Sequence, residues 1–405
     1  MLIYLIAGEP SGDMLGARLM RALKEQAPET EFAGIGGENM EKEGLSSLFD
    51  ISDLAVMGLA EVIPSIPKIL GHIRRTVADI VSQKPDAVIT IDSWSFSERI
   101  HKALRRQKIA TLQMHYVAPQ VWAWKKGRAR TMHKYIDRLL TLFPNEPAYF
   151  TPHHLATDCV GHPVVENPLL AGAGEDFHAE HGVPADKRLV LILPGSRHNE
   201  VSRLLPAFLD SAALLAEQYP DLYFVLPTVK TVEQRVRRML EAHKGVRVEV
   251  LTTQAERYAA AKAAAAAMAA SGTVSLELAI MKVPHLIAYR VAPLTAWLAR
   301  HLLKIRSVNL PNIILNKTVV PELLQEDCNP ARIAEVMGHF LAQTDEGRQT
   351  CAAFRSEMDE LCRLLGVGSV TPSRKAAEII LREIKKRRNG QGGQSAPNNA
   401  GETPQ

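Results

Sequence analysis

Residues 189–193 read Leu-Val-Leu-Ile-Leu, an unbroken apolar run that stops at Pro194-Gly195. A strand with no polar face must be covered on both sides, and such burial belongs to parallel sheets packed between helices. The pattern recurs. Leu2–Ala7, Asp86–Ile91, Thr111–His115 and Arg138–Leu142 read as buried strands in the first half, and Leu222–Leu226, Val246–Leu251 and Val283–Tyr289 in the second. Helical spacing fills the intervals, as at Leu15, Leu19 and Leu23 and over Val232–His243. The Ala-rich stretch Ala259–Ala270 reads as a helix turning into a short strand. Strands alternating with helices make parallel crossover units, so the expected class is α/β.

At 405 residues the chain exceeds what one core supports, and Pro and Gly cluster near Val164–Ala173. The expected division is a first domain over 1–168, a second over 169–350, helices over 351–387 and a tail over 388–405 too poor in apolar anchors to fold. The alternation twice over suggests two Rossmann-like domains facing a cleft.

The turns that end these strands carry the chemistry. Ser196-Arg197 follows Pro194-Gly195 and precedes a helix, as in α/β proteins that hold an anion at the carboxyl end of a sheet. A plain turn with a solvated Arg is the alternative. Ser271-Gly272-Thr273 places free amides at a helix start, suited to a pyrophosphate, and Glu277 one turn on suits ribose hydroxyls. A simple Thr273 cap is the bland reading. Asp92 ends a buried strand and would face the crevice, or else serve as a helix cap with Ser93 or Ser95. Gly8–Asp13 is a Gly-rich loop with a carboxylate near a helix start, again a ligand-loop pattern, but without dinucleotide spacing.

Composition narrows partners. The net charge of +4 is too small to argue for nucleic acid, despite the basic residues from Lys125 to Arg138 beside Trp122 and Trp124. Four cysteines include no C-x-x-C pair and imply reduced thiols in a cytosol, and no metal set is visible. No signal peptide or spanning run of roughly 18 to 20 apolar residues is present, so any membrane contact is expected to be peripheral. Two stretches suit lipid. Ile51–Ile73 holds Met57, Val62, Ile66 and Leu70, interrupted by Pro64 and Pro67, and reads as a core helix pair or an exposed greasy patch. Leu294–Arg306 reads as a basic amphipathic helix of interfacial type, with Trp297 against Arg300 and Lys304.

Taken in order, several stretches together resemble one family. They are Ala7–Asp13, Leu54–Gly58, His115–Pro119 with Trp122-Ala123-Trp124, Leu193–Arg197, Ala270–Thr273, Ser307–Asn312 and Glu322–Gln325. The chain is similar to the lipid-A-disaccharide synthases, GT-B glycosyltransferases of family 19. The resemblance implies transfer from UDP-2,3-diacylglucosamine to 2,3-diacylglucosamine 1-phosphate (lipid X), with inversion, a β-1,6 linkage and release of UDP, in lipid A biosynthesis of a Gram-negative bacterium. It implies no cofactor and no metal.

By the same resemblance Asp92 is the catalytic base, with Glu9 as the alternative. Arg197, Ser196, Ser271, Gly272, Thr273, Glu277, Asn312 and Gln325 bind the UDP donor, and Ser11, Gly12, His115 and Tyr116 bind the acceptor. Met57, Val62, Ile66, Leu70, Trp297, Arg300 and Lys304 become contacts to the cytoplasmic leaflet of the inner membrane, which makes the protein cytoplasmic and peripheral. A homodimer is left open. One departure stands out: the family usually carries Pro and a second Asp after the first, where this chain has Trp94 and Ser95. A UDP-sugar epimerase and a nucleotide-holding membrane protein without turnover are the competing expectations.

Overall fold

The computed structural model describes residues 1–54, 59–121, 126–171, 177–291 and 307–392, without the side chains of 59–66, 126, 171 and 390–392. The chain divides into two compact units, Met1–Pro163 completed by the segment from Val370, and Val164–Ser369.

The first unit runs β1 (Leu2–Ala7), α1 (Pro10–Gln26), β2 (Glu31–Ile35), α2 (Glu38–Lys42), α3 (Leu59–Gln83), β3 (Ala87–Ile91), α4 (Trp94–Arg106), β4 (Leu112–Tyr116), α5 (Ala129–Met132), β5 (Arg138–Thr141) and β6 (Ala156–Cys159). Its strands order β2-β1-β3-β4-β5-β6, every pair parallel. Alternate residues of β1 explain why its apolar run is continuous. Ile3, Leu5 and Ala7 join a core with Leu19 and Leu23 of α1, while Tyr4 and Ile6 join another with Ile73 and Val77 of α3. Both faces are covered.

The second unit runs α6 (Pro168–Ala171), α7 (Phe177–Glu180), β7 (Arg188–Leu193), α8 (His198–Gln218), β8 (Leu222–Pro227), α9 (Lys230–Ala242), β9 (Val248–Leu251), α10 (Gln254–Ala263), β10 (Ala264–Ala270), α11 (Thr273–Ile280), β11 (His285–Tyr289), α12 (Leu310–Leu315), β12 (Glu322–Leu324), α13 (Pro330–Leu341) and α14 (Asp345–Leu365). These strands order β12-β11-β10-β7-β8-β9, again all parallel. Strand β10 is AAAAMAA, a helix-favouring composition held extended because β7 and β11 pair it on both edges.

The last helix, α15 (Pro372–Gly392), returns to the first unit. Its Ala376, Ala377, Ile380 and Ile384 are buried in the core that α1 shares. Arg388 caps the contact through Asp86 at 2.7 Å.

Two expectations change. Residues 59–83 form one helix through Pro64 and Pro67 rather than a pair, anchored downstream by buried Ile73, Val77 and Ile80. A proline removes only its own N–H bond and kinks the helix locally, which a long helix survives. Residues 388–392 of the expected tail are helical, while 393–405 lie outside the described residues.

Candidate active site

In a doubly wound sheet, ligands gather where neighbouring strands send their connections in opposite directions. In the first unit that point lies between β1 and β3, which are adjacent with Ala7 paired to Ile91. The loops leaving them carry Gly8-Glu9 and Asp92-Ser93. An open cavity of ≈ 670 Å³ sits there, lined by Glu9, Asp92, Ser93, Arg99 and Arg128 together with Leu54, Ile69 and Phe96.

The backbone around this cavity is strained. Asp92 and Ser93 take left-handed φ of 56° and 44°, and Val117 at the end of neighbouring β4 takes 78°, an outlier for a β-branched residue. Hydrogen bonds from Asp92 N to the Tyr116 carbonyl (2.9 Å) and from Val117 N to the Leu140 carbonyl (3.0 Å) hold it. The backbone at Gly8 approaches Ser93 closely, and a Cβ there would lie 3.0 Å from Ser93 Cβ and Oγ.

Ser93 links the two carboxylates. Its amide donates to Asp92 Oδ1 (2.8 Å) and its hydroxyl to Glu9 Oε1 (2.8 Å). Burial raises the Asp92 pKa above the usual carboxylate range, the Ser93 amide pulls it back, and the charge of Glu9 adds to the rise. A carboxylate so placed is a stronger proton acceptor than a solvated one.

Other residues read as ligands from sequence lie elsewhere. Ser11 is exposed on the first turn of α1, and Gly12 is buried where a Cβ would meet the Ile91 carbonyl at 3.3 Å. Asp13 serves the fold: its carboxylate accepts the amides of Gly37 (2.7 Å), Asn39 (3.0 Å) and Met40 (3.0 Å), plus Asn39 Nδ2 (2.8 Å). His115 and Tyr116 are fully buried in β4 and do not line the cavity. Thr90 Oγ1 bridges His115 Nδ1 (2.7 Å) and His101 Nε2 (2.8 Å), and His101 Nδ1 meets Gln113 Oε1 (2.9 Å). The edge of Trp94 packs on His115 at 4.7 Å between centroids. Burial lowers the pKa of His115 to about 3 and of His101 to about 4, so both are neutral.

In the second unit the switch point lies between β7 and β10, paired through Leu193 and Ala269. The two loops read as anion sites leave there side by side. Gly195 has φ 107°, and a Cβ would clash with Glu200 Oε2 at 2.4 Å. Glu200 folds back to accept the amides of Ser196 (3.2 Å) and Arg197 (3.3 Å) and pairs with the exposed Arg197 guanidinium at 3.2 Å. Among the described residues helix α11 has no such cap: Gly272, at φ 152°, precedes Thr273 with no side chain on the first amides. Ser271 Oγ is turned inward to the Val308 carbonyl at 2.8 Å.

Glu277 is engaged by Tyr258 Oη (2.5 Å) and by Arg257 Nη2 (3.0 and 3.1 Å), with Asn167 Nδ2 on Tyr258 Oη at 2.7 Å. The Asn312 amide is filled from within the fold: it accepts from Val319 N and Val320 N and donates to the Val320 carbonyl and Glu322. With its side-chain amide turned end for end, Gln325 donates to the Val291 carbonyl at 3.3 Å and accepts from the Val291 amide at 3.1 Å. Among the described residues, the donor candidates with capacity facing outward are Arg197, the exposed Ser196 and the α11 amides.

Leu70 on α3 is exposed at 40%. Met57, Trp122, Trp124, Trp297, Arg300 and Lys304 lie outside the described residues, as do the side chains of Val62 and Ile66. Among the described residues no helix is long and apolar enough to cross a membrane. Arg99 and Tyr258 escaped the sequence reading, although Arg99 stands one helical turn after Ser95 and so on the same face of α4.

Two parallel Rossmann-like sheets, each with candidate ligand loops at its switch point, define an α/β protein of the GT-B-like class. A profile of the family described as Lipid-A-disaccharide synthetase matches residues 3–365. A lipid-A-disaccharide synthase from Paramagnetospirillum magneticum is 46% identical over 398 residues, covering 96% of this chain and 100% of the relative. Another from Rhodospirillum centenum is 46% identical over 388 residues, covering 96% of each. Among solved structures, a putative UDP-N-acetylglucosamine 2-epimerase from Listeria monocytogenes matches with TM-score 0.61 and 14% identity over 96% of both chains, a likeness of fold alone. The chain belongs to the lipid-A-disaccharide synthase family, and so is a glycosyltransferase of lipid A biosynthesis.

Proposed function

We propose that the chain transfers the sugar of UDP-2,3-diacylglucosamine to the 6-hydroxyl of 2,3-diacylglucosamine 1-phosphate, inverting the anomeric carbon. The product is the β-1,6 disaccharide 1-phosphate, with UDP released. The observation that carries this reading is Asp92, a carboxylate with a raised pKa, set beside Glu9 in a cavity at the switch point. Asp92 takes the proton of the acceptor hydroxyl as its oxygen bonds to the anomeric carbon. The bond to UDP breaks and its electron pair stays on the diphosphate. The uncapped amides of α11 and the guanidinium of Arg197 supply the counter-charge that this leaving group needs. Glu9, joined to Asp92 through Ser93, orients the acceptor. The acylated substrates and the exposed Leu70 support a site of action at the cytoplasmic leaflet of the inner membrane.

The test is UDP release by wild type and Asp92→Asn, with donor alone and with donor plus acceptor. Acceptor-dependent release is expected from wild type, reduced on the order of 10²-fold or more in the variant, with donor binding retained. The wild-type rate should fall with acid above the ~3.9 of an ordinary aspartate, since the base must be ionised. Release without acceptor would mean a hydrolase or an epimerase-like reaction. A variant at full rate moves the base to Glu9.

A further inference from the structure

The cavity that holds Asp92 also carries two guanidiniums that the proton transfer does not use, those of Arg99 and Arg128. Each is related to Ser95, Arg128 by contact and Arg99 by helical spacing. Arg128 is half-buried and donates to Ser95 Oγ at 3.3 Å, a long contact to a neutral group. Arg99 follows Ser95 by four residues on α4, which puts both on the same helix face. Among the described residues neither arginine has a carboxylate partner. Arg105, further along the same helix, contrasts with them: Asp137 holds it at 2.5 Å. The carboxylates of the cavity, Glu9 and Asp92, are tied to Ser93, the residue that opens α4.

The lining therefore combines two kinds of group. Its carboxylates can accept protons, and its guanidiniums are planar, permanently charged donors that meet no carboxylate among the described residues. A guanidinium left in a cavity with such capacity is suited to bidentate contact with phosphate oxygens. A ligand matching both kinds carries a hydroxyl to be deprotonated and, elsewhere on the same small ring, an anionic ester. We infer that Arg99 and Arg128, with the Ser95 hydroxyl between them, bind the phosphomonoester of the sugar acceptor. This rests on the transferase reading above and assigns the end of the acceptor remote from its reacting hydroxyl.

The experiment compares 2,3-diacylglucosamine 1-phosphate with the same sugar lacking its phosphate, in nonionic micelles, for wild type, Arg99→Gln and Arg128→Gln. Each variant should raise the KM for the phosphorylated acceptor roughly tenfold or more, leave the donor KM unchanged, and match wild type on the acceptor without phosphate. Arg128→Lys should recover part of the loss, because charge returns without the fork. Equal losses on both acceptors would show a structural role and overturn the site, as would no loss on either. Defects that appear only when phosphatidylglycerol is added to the micelles would assign the arginines to a lipid headgroup instead. Equilibrium binding of labelled acceptor phosphate is measured alongside. If wild type releases no UDP with any acceptor, the transferase reading falls. The site then stands on weakened binding in the variants and falls if they bind like wild type.

Discussion

Replacing Asp13 with alanine removes the single acceptor on which four donors converge. Helix α2 has only five residues, too few to hold together on its own, and its cap position is Gly37, which has no side chain to offer. Asp13 supplies the missing cap from α1, 3% exposed, across 24 to 27 residues of sequence. Hydrogen bonds to a charged group contribute about 1.5 to 3 kcal/mol each, but the four share one carboxylate and do not add. Removal leaves buried N–H groups without partners, and a loss of about 3 to 5 kcal/mol follows by analogy with breaking a buried pair. That is a large share of the 5 to 15 kcal/mol typical of a domain. The assay is urea unfolding followed by circular dichroism, with UDP release measured at low temperature on whatever folds. The folded fraction should keep a near-normal rate. A stability change under about 1 kcal/mol together with lost activity would refute the argument and return Asp13 to the ligand.

Acid should loosen the first unit before the second. Burial pushes His101 and His162 to about 4 and His115 to about 3, against 6.5 when exposed, whereas the second unit has His285 at about 4. Between those values and 6.5 the unfolded chain binds protons that the folded chain refuses, so stability falls as pH falls, by about 1.4 kcal/mol per pH unit for each histidine. Glu146, raised to about 7 by burial, runs the other way and cancels one of the three, and Asp92, also raised by burial, offsets part of the remainder toward the acid end. The urea midpoint of the first unit should therefore drop steeply from pH 6.5 to 5, and a flat profile would sink the account. Gly272→Ala, at φ 152° with open space around the new methyl, should cost about 1 to 3 kcal/mol of stability and raise the donor KM. A lower melting temperature with an unchanged donor KM would remove the α11 amides from the diphosphate site.

The strands that cross the middle of each sheet were legible because burial on both faces leaves them almost wholly apolar, as in β1, in β3 apart from Thr90, and in β7 after Arg188. The edge strands β6 and β12 were not, since Ala156–Cys159 and Glu322–Leu324 are short and half-exposed and carry no such run. At the candidate site, the turns after β3, β7 and β10 announced themselves through Gly, Ser and a charge at a strand end. What the sequence hides is the partner. Nothing near Asp13 says that its donors lie on α2. Nothing near Asn312 says that the loop at Val319-Val320 has already filled its amide. Ser93 was visible as a cap candidate, but its link between Asp92 and Glu9 depends on an αL backbone that local propensity disfavours.

Because α15 completes the core around α1, the first unit is finished by a helix that follows the second unit in sequence. A ribosome delivers α1 early and must make the whole second unit before Ala376, Ala377, Ile380 and Ile384 can emerge. In the interval the nascent first unit presents an uncovered apolar face, open to chaperones and to misassembly. Maturation of the cavity scaffold is thus coupled to synthesis of the second unit, and a stop codon just after Ser369 would spare the second fold while undoing the first.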